Sequence, residues 1–305
     1  MSPLSVANTV AVAHVRHRLA LGIEWFDALA ASAVGKDWAT ELRAVGVRPL
    51  LQAFQFHPRG RHALRHAGRL ASLLARGAAD KLAVPPAGPE QDPTNLVTRA
   101  YGLADLRATQ YATGNDPRHY VPRRLSLTPV QAGGLPSAGA VNVRQAWVWP
   151  GAAYPLPTKA SAVRGCVRRG ASLAVARPVA WTRVVFTRPG PAPANFNTET
   201  RLGHAHGDDR GEFLGVLGPN AVTGGAALPA SIALNAWIFV PPAAPAFDAA
   251  DPLASLPLEV AGTAVLNDVL RGTATPAGYV RHGPIAVTLP LGQVVAIADA
   301  DLLFP

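Results

Sequence analysis

The segment from Val163 to Leu217 limits the possible folds of this chain more than any other feature. It contains three short runs with apolar and aromatic residues, namely Val163–Val167, Arg177–Phe186 and Gly207–Leu214. Glycine, proline and aspartate stand between these runs. Runs of this kind bounded by turn-forming residues are typical of strands. The segment therefore predicts three β-strands joined by turns.

The composition extends this prediction to the whole chain. Of the 305 residues, 29 are proline and 28 are glycine. Both residues disfavour helices, so strands joined by turns are the expected elements. Hydrophobic residues make up 49% and charged residues only 15%, which excludes an intrinsically disordered chain. We predict an all-β protein built of two tandem β-sandwich-like domains with little helix.

A glycine-rich stretch at residues 131–139 marks the predicted domain boundary. Residues 1–135 form an N-terminal β-rich domain in this prediction, and residues 140–245 form a β-sandwich. Residues 246–305 are a linker and C-terminal strands, which either complete a sandwich or form an appendage. The alternation of apolar and polar residues predicts individual strands. They are expected at residues 19–26, 38–45, 50–56, 120–127, 141–149, 234–240, 285–289 and 294–297.

Residues 162–240 resemble the carboxypeptidase regulatory-like domain, a β-sandwich of transthyretin type. The residues that carry the resemblance, and that we expect to determine the fold, are Gly165, Pro178, Val179, Val184, Phe186, Asp209, Gly211 and Phe213. The resemblance implies an accessory or assembly module without a catalytic centre. Such domains also occur among accessory proteins of phage-tail-like contractile injection particles. The chain departs from the family pattern at Trp181 and in a long insertion, Pro189–Thr200.

Three of these residues have roles that follow from their chemistry. Gly211 permits the positive φ of a tight hairpin turn. Asp209 is expected to bond to the backbone of that turn. Phe213 is expected to anchor the core.

The formal net charge of +9 rests almost entirely on arginine, because lysine occurs only at three positions. A basic chain can serve a nucleic acid or an acidic surface. Here the arginines are dispersed, which favours a solvated surface or pairing across subunit contacts, and no nucleic-acid partner is predicted. Arg118, Arg123 and Arg124 either contact phosphate or guard an edge strand with charge.

His204, His206 and Asp208 are the candidate metal ligands. On a strand, His204 and His206 point to the same face, as chelation requires. The alternative is an exposed strand end before a turn, and we favour it, so no metal and no cofactor are predicted. A Gly-x-Ser-x-Gly elbow and a phosphate-binding glycine loop are both absent from the sequence. No catalytic residue is therefore predicted.

Cys166 is the only cysteine, which rules out a disulfide within the chain. We expect it to be a small core residue. The N-terminus lacks the basic start and apolar run of a signal peptide, and no apolar stretch is long enough to span a membrane. We therefore expect synthesis in the cytoplasm without a signal peptide, and release as part of a particle stays open as an alternative.

The sequence favours a non-enzymatic structural or adaptor subunit of a larger bacterial protein assembly, such as a phage-tail-like particle. Its expected partners are other protein subunits, in a homo- or hetero-oligomer. Strand edges and the side chains of Trp147, Trp149, Trp181 and Trp237 would bury against neighbours or against the core. The alternatives are a module that binds carbohydrate or another surface ligand, and a metal-dependent hydrolase centred on His204 and His206.

Overall fold

The computed structural model describes residues 19–29, 54–57, 61–65, 120–127, 143–218, 221, 229–242, 256–262 and 264–305. Within these ranges the protein is all-β, with a single short helix. Its elements are β1 (Leu19–Asp27), β2 (Phe54–His57), β3 (Arg61–Arg65), β4 (Arg124–Leu127), β5 (Val143–Val148), β6 (Ala162–Cys166), β7 (Arg168–Arg169), β8 (Arg177–Pro178), β9 (Arg183–Thr187), β10 (Arg201–His206), β11 (Glu212–Val216), β12 (Ser231–Val240), β13 (Leu258–Gly262), α1 (Asp268–Arg271), β14 (Val280–Pro290), β15 (Val294–Ala296) and β16 (Leu303–Phe304).

Two facing sheets enclose the main core. One has the strand order β10-β9-β12-β14 and the other β11-β6-β15. Alternate residues of each strand point inward, as the two-residue period of a strand requires. Buried side chains from both sheets pack in one cluster, which includes Val163, Val184, Phe186, Phe213, Ala236, Ile238 and Leu302. This cluster gives the region the layered arrangement of a β-sandwich.

Strands β9 and β12 are buried on both faces. Val184 and Phe186 face the main core, whereas Val185 lies on the opposite face with Trp237 and Phe239. All five residues of β9 are buried. A second layer therefore covers the outer face of the four-stranded sheet.

Strands distant in sequence pair with one another. Strand β1 pairs in parallel with β5, and β4 pairs in parallel with β13. The C-terminal strands join sheets formed by earlier strands, β14 with β12, β15 with β6 and β16 with β7. Pairing thus crosses both predicted sequence boundaries, and the division into domains stays a prediction.

Helix α1 has only four residues and is held by its ends. The Asn267 side chain accepts a hydrogen bond from Leu270 N at 2.8 Å and donates to Ala261 O at 2.8 Å. Gly272 ends the helix in the left-handed conformation, with φ 69°. A helix this short is unstable alone, so these contacts fix it against β13. No helix within the described ranges has the length and apolarity needed to cross a membrane.

The predicted all-β class is confirmed, and so are strands predicted from alternation near the sequence positions of β1, β2, β4, β5, β12, β14 and β15. The strand predicted at residues 38–45 lies outside the described residues. The four tryptophans considered for subunit contacts are buried within this chain, Trp147 at 7%, Trp149 at 4%, Trp181 at 1% and Trp237 at 4% exposure. Their burial is explained by the core alone.

Candidate functional site

His204 and His206 lie on the same face of β10, as predicted, and both pack against one indole. The ring centroids of His204 and His206 are 5.7 Å and 5.6 Å from that of Trp149. His206 has no exposed surface, so the expectation of an exposed strand end is wrong at this position. The Trp149 ring covers His206 from outside the sheet, and the sequence pattern of β10 does not reveal this contact.

His206 is used as a structural hydrogen-bond donor. Its Nε2 lies 2.8 Å from the carbonyl oxygen of Gly272, just after α1. A carbonyl only accepts hydrogen bonds, so Nε2 carries the proton and has no lone pair for a metal. Burial lowers the pKa of His206 well below its ordinary value, and the nearby positive charges of Arg183 and Arg123 lower it further. The ring is therefore neutral at neutral pH.

The pKa of His204 is lowered to about 4, mainly by burial and secondly by the charge of Arg201. Asp268 acts weakly in the opposite direction. Both histidines are thus neutral parts of a packed junction between β10, β5 and α1.

Asp208 closes the β10–β11 turn. Its Oδ1 accepts hydrogen bonds from Arg210 N at 2.8 Å and Glu212 N at 3.0 Å. Asp208 thus binds the backbone of this turn, and the similar role of Asp209 stays a prediction. Among the described residues, no three histidine, cysteine, aspartate or glutamate side chains form a group that could hold a metal ion. The three candidate ligands are therefore not brought together as a metal centre.

Arg123, Glu259 and Arg183 form a buried charge cluster beside His206. Arg123 Nη2 lies 2.6 Å from Glu259 Oε2, and Arg183 Nη2 lies 3.2 Å from Glu259 Oε1. The three residues are at most 5% exposed. Arg123 was expected to contact phosphate or guard an edge strand, and its complete burial shows both interpretations to be wrong.

The same cluster binds backbone carbonyls of other elements. Arg123 Nη1 donates to Trp147 O and Leu270 O, both at 2.7 Å, and Arg123 Nη2 also donates to Val269 O. Arg183 Nη1 donates to Trp181 O at 3.1 Å. The cluster therefore connects β5, β9, β13 and α1 with the residues before β4. Sequence reasoning missed it because Arg123 and Glu259 are 136 positions apart. The one sequence feature that could have indicated a buried charge was Glu259, a single glutamate between the apolar residues Leu258 and Val260.

Trp181, one of the departures from the family pattern, has a φ of 62°. Non-glycine residues rarely take this left-handed conformation. Here the Trp181 carbonyl accepts a hydrogen bond from the Tyr279 hydroxyl at 2.8 Å, and its N–H donates to Asp208 O at 3.0 Å. These bonds hold the turn in place between the main core and the charge cluster.

A second buried polar group joins Asp27, at the end of β1, to two phenols. Asp27 Oδ2 accepts hydrogen bonds from the hydroxyls of Tyr120 at 2.9 Å and Tyr154 at 2.6 Å. Burial raises the pKa of both phenols, and the Asp27 carboxylate raises it further. Both hydroxyls therefore stay protonated and serve as donors.

Cys166 lies on the outer face of the three-stranded sheet rather than in the core, contrary to expectation. It is half-buried, and its Sγ lies 3.5 Å from Arg210 O. Burial raises the pKa of the thiol, and of the nearby charges only that of Arg168 lowers it. The thiolate is the nucleophilic form, so this cysteine is poorly activated.

A groove with a volume of about 520 Å³ runs along the same face. Its polar lining comes from Arg164, Glu212 and Asp299, and its apolar lining includes Leu214 and Ala296. Glu212 pairs with Arg210 at 2.9 Å. Within the described part of the chain, the exposed side chain of Arg164 makes no hydrogen bond or ion pair.

The residues that carry the family resemblance lie in and around the main core. Val179, Val184, Phe186 and Phe213 are buried there, whereas Pro178 is exposed. A Cβ on Gly165 would lie 2.4 Å from Leu302 Cδ1 and 2.9 Å from the Phe213 ring, so a larger residue there would require these core side chains to shift. Gly211 has a φ of 74°.

Comparisons of the chain with protein-family models, curated proteins and solved structures find no match. The resemblance to the carboxypeptidase regulatory-like domain therefore stays a prediction.

Proposed function

We propose that this protein is a non-enzymatic structural or adaptor subunit of a larger bacterial protein assembly, for which a phage-tail-like particle is the setting that the family resemblance suggests. The observation that supports the proposal is the buried cluster of Arg123, Glu259 and Arg183. Its charged groups bind one another and backbone carbonyls of β5, of α1 and of the turn before β9. Ionisable side chains used in this way hold elements in a fixed arrangement, which is the property that a scaffold needs.

The exposed apolar side chains supply contact surface for such a subunit. Leu173 and Val175 are 44% and 66% exposed and lie in the turn between β7 and β8. The four tryptophans considered above are buried inside the chain. The β7–β8 turn with Leu173 and Val175 is therefore a better candidate for subunit contacts than the tryptophans are. The buried core of a protein interface is more apolar than the rest of the protein surface.

The test is the mass of the purified chain in solution by light scattering over a range of concentrations. We expect a defined oligomer of the 31.7 kDa chain. The double substitution Leu173→Ser, Val175→Ser should shift the mass towards that of one chain, whereas Thr158→Ser, in another exposed turn, should not. A wild-type chain that stays monomeric at every concentration contradicts the proposal.

A module that binds a carbohydrate or another surface ligand is the second candidate, and the groove beside Cys166 favours it. Arg164, Glu212 and Asp299 offer charged hydrogen-bonding groups next to an apolar floor. Such a combination is typical of ligand sites. Calorimetric titration with a panel of oligosaccharides should then give heat that Arg164→Gln removes. Absence of heat with every oligosaccharide tested counts against a carbohydrate ligand.

A further inference from the structure

The insertion Pro189–Thr200 is fastened to the outer face of the four-stranded sheet by a buried carboxylate. Glu199 accepts hydrogen bonds from Asn235 Nδ2 at 2.8 Å, Trp237 Nε1 at 3.0 Å and Thr187 Oγ1. These donors lower the pKa of Glu199 against the opposing effect of its burial. A fully bonded carboxylate of this kind fixes the loop that carries it.

The fixed loop places Phe196 on an aromatic surface. Its ring centroid lies 5.6 Å from that of Trp237 and 5.2 Å from that of Phe239, both in edge-on arrangements. Phe196 is only partly buried, so its ring forms the outermost layer of this side of the sheet.

Two arginines from the two outer strands of the sheet share the Phe196 ring. The guanidinium carbon of Arg201, in β10, is 5.2 Å from the ring centroid, and that of Arg281, in β14, is 5.0 Å from it. Arg281 also lies 5.2 Å from the Trp237 ring. Cation–π contacts hold both guanidinium groups in place beside the ring without using their N–H groups as hydrogen-bond donors.

The charges of this pair lack a counterion in the described part of the chain. Both side chains are exposed, and neither guanidinium group makes a hydrogen bond or an ion pair with another described residue. The two charges share one ring, so they lie within about one Debye length, roughly 10 Å, and repel each other. An anionic group bound between them would relieve this repulsion.

We infer that Phe196, Arg201 and Arg281, here called the arginine platform, bind an acidic segment of a partner protein. Guanidinium groups match carboxylates in a bidentate geometry, and two of them held close together suit neighbouring Asp or Glu side chains. The chain carries a net charge of +9, so a second copy is a poor electrostatic match and an acidic partner is a good one. This inference goes beyond the proposed function, because it holds whether the chain is a monomer or an oligomer.

A protein segment fits the platform better than a nucleic acid. Single-stranded nucleic acids bind by stacking bases on open aromatic faces along a basic track. Here the Phe196 ring already carries two guanidinium groups, and Trp237 and Phe239 are buried at 4% and 7% exposure. The platform thus offers positive charge without an open ring.

The test uses the full chain and a fluorescein-labelled octapeptide of alternating Glu and Gly, with binding followed by fluorescence anisotropy at about 50 mM salt, where surface charge is weakly screened. Arg201→Gln with Arg281→Gln should weaken binding about tenfold, the combined effect of two exposed ion pairs. Lys159→Gln with Arg177→Gln removes the same charge from exposed positions elsewhere and should leave affinity within about twofold. Phe196→Leu keeps an apolar side chain but removes the ring, and it should also weaken binding.

Four results would overturn the inference. They are no binding of the peptide, equal weakening by the two charge-matched pairs, unchanged affinity in folded Phe196→Leu, and tighter binding of a short oligothymidylate that depends on the same arginines. The last result would assign the platform to a nucleic acid. Light scattering of each variant shows whether assembly is unchanged, so failure here is distinguishable from failure of the proposed function.

Discussion

Gly211 holds a turn conformation that other residues reach only with strain. Its φ is 74°, and a Cβ at this position would lie 2.5 Å from Val167 O. Since the contact is with backbone, no side chain can move aside. The Asp208 carboxylate accepts hydrogen bonds from the N–H groups of Arg210 and Glu212 in the same turn. By fixing this turn, Gly211 positions the start of β11.

We predict that Gly211→Ala lowers the free energy of unfolding by about 2–4 kcal/mol, through strain at positive φ and displacement of the Val167 carbonyl. Urea denaturation measures the change. Gly218→Ala is the matched control, because a Cβ there meets none of the described residues within 4 Å, and it should change stability by less than about 0.5 kcal/mol. Equal effects of the two substitutions would contradict the role given to Gly211.

The buried histidines predict a loss of stability in acid. The folded-state pKa of His204 is about 4 and that of His206 is lowered, both below the value of about 6.5 expected in the unfolded chain. The unfolded chain therefore binds more protons between these values. Stability is complete above about pH 7 and falls as the pH drops through 6.5 towards 4.

Each such histidine contributes a slope of about 1.4 kcal/mol per pH unit in that window. His206→Gln keeps a hydrogen-bond donor for Gly272 O but does not titrate. It should therefore reduce the slope of unfolding free energy against pH by the contribution of one proton. Urea titrations between about pH 5 and pH 6.5 measure it. An unchanged slope in the folded variant would show that His206 does not take up a proton on unfolding.

At the scale of elements, the charge cluster acts as a joint between β9 and the β4–β13 pair, which belong to different sheets. Arg123 precedes β4, Glu259 lies in β13 and Arg183 begins β9. Buried charges are costly to desolvate, and their pairing offsets that cost only while all partners are present. Removal of one partner therefore costs more than an ordinary surface substitution.

Glu259→Gln leaves two buried guanidinium groups without their shared carboxylate. We expect it to destabilise the protein by about 3–5 kcal/mol in urea denaturation. Glu212→Gln breaks an ion pair whose side chains are 44% and 39% exposed, and it should cost less than about 1 kcal/mol. Similar small effects for both substitutions would mean that the cluster does not join the elements.

Which elements the sequence predicts depends on where their stabilising contacts come from. Strands β1, β5 and β12 carry local alternation, so their positions were predictable. The burial of His206 was not, because it depends on Trp149 and Gly272, which approach from distant segments. The same holds for Arg123, whose neighbours suggested an exposed run, and for Cys166, whose outward orientation depends on the register of β6. Local patterns report strands, whereas the polar junctions depend on long-range pairing.

For the whole molecule, the account requires that the sandwich and the parallel pairs β1–β5 and β4–β13 behave as one body. The joint of Arg123, Glu259 and Arg183 connects these parts, and the junction of His204 and His206 with Trp149 lies beside it. Rigid connection is what distinguishes a scaffold from separate modules on a tether. Without it, the proposed function loses its main support.

Native-state amide hydrogen exchange of the full chain, read strand by strand, tests this claim most directly. The account predicts that protected amides of β5, β9 and β13 exchange with one shared free energy of opening, equal to that of global unfolding. Exchange of β5 and β13 through a separate opening of lower free energy, while β9 stays protected, would contradict it.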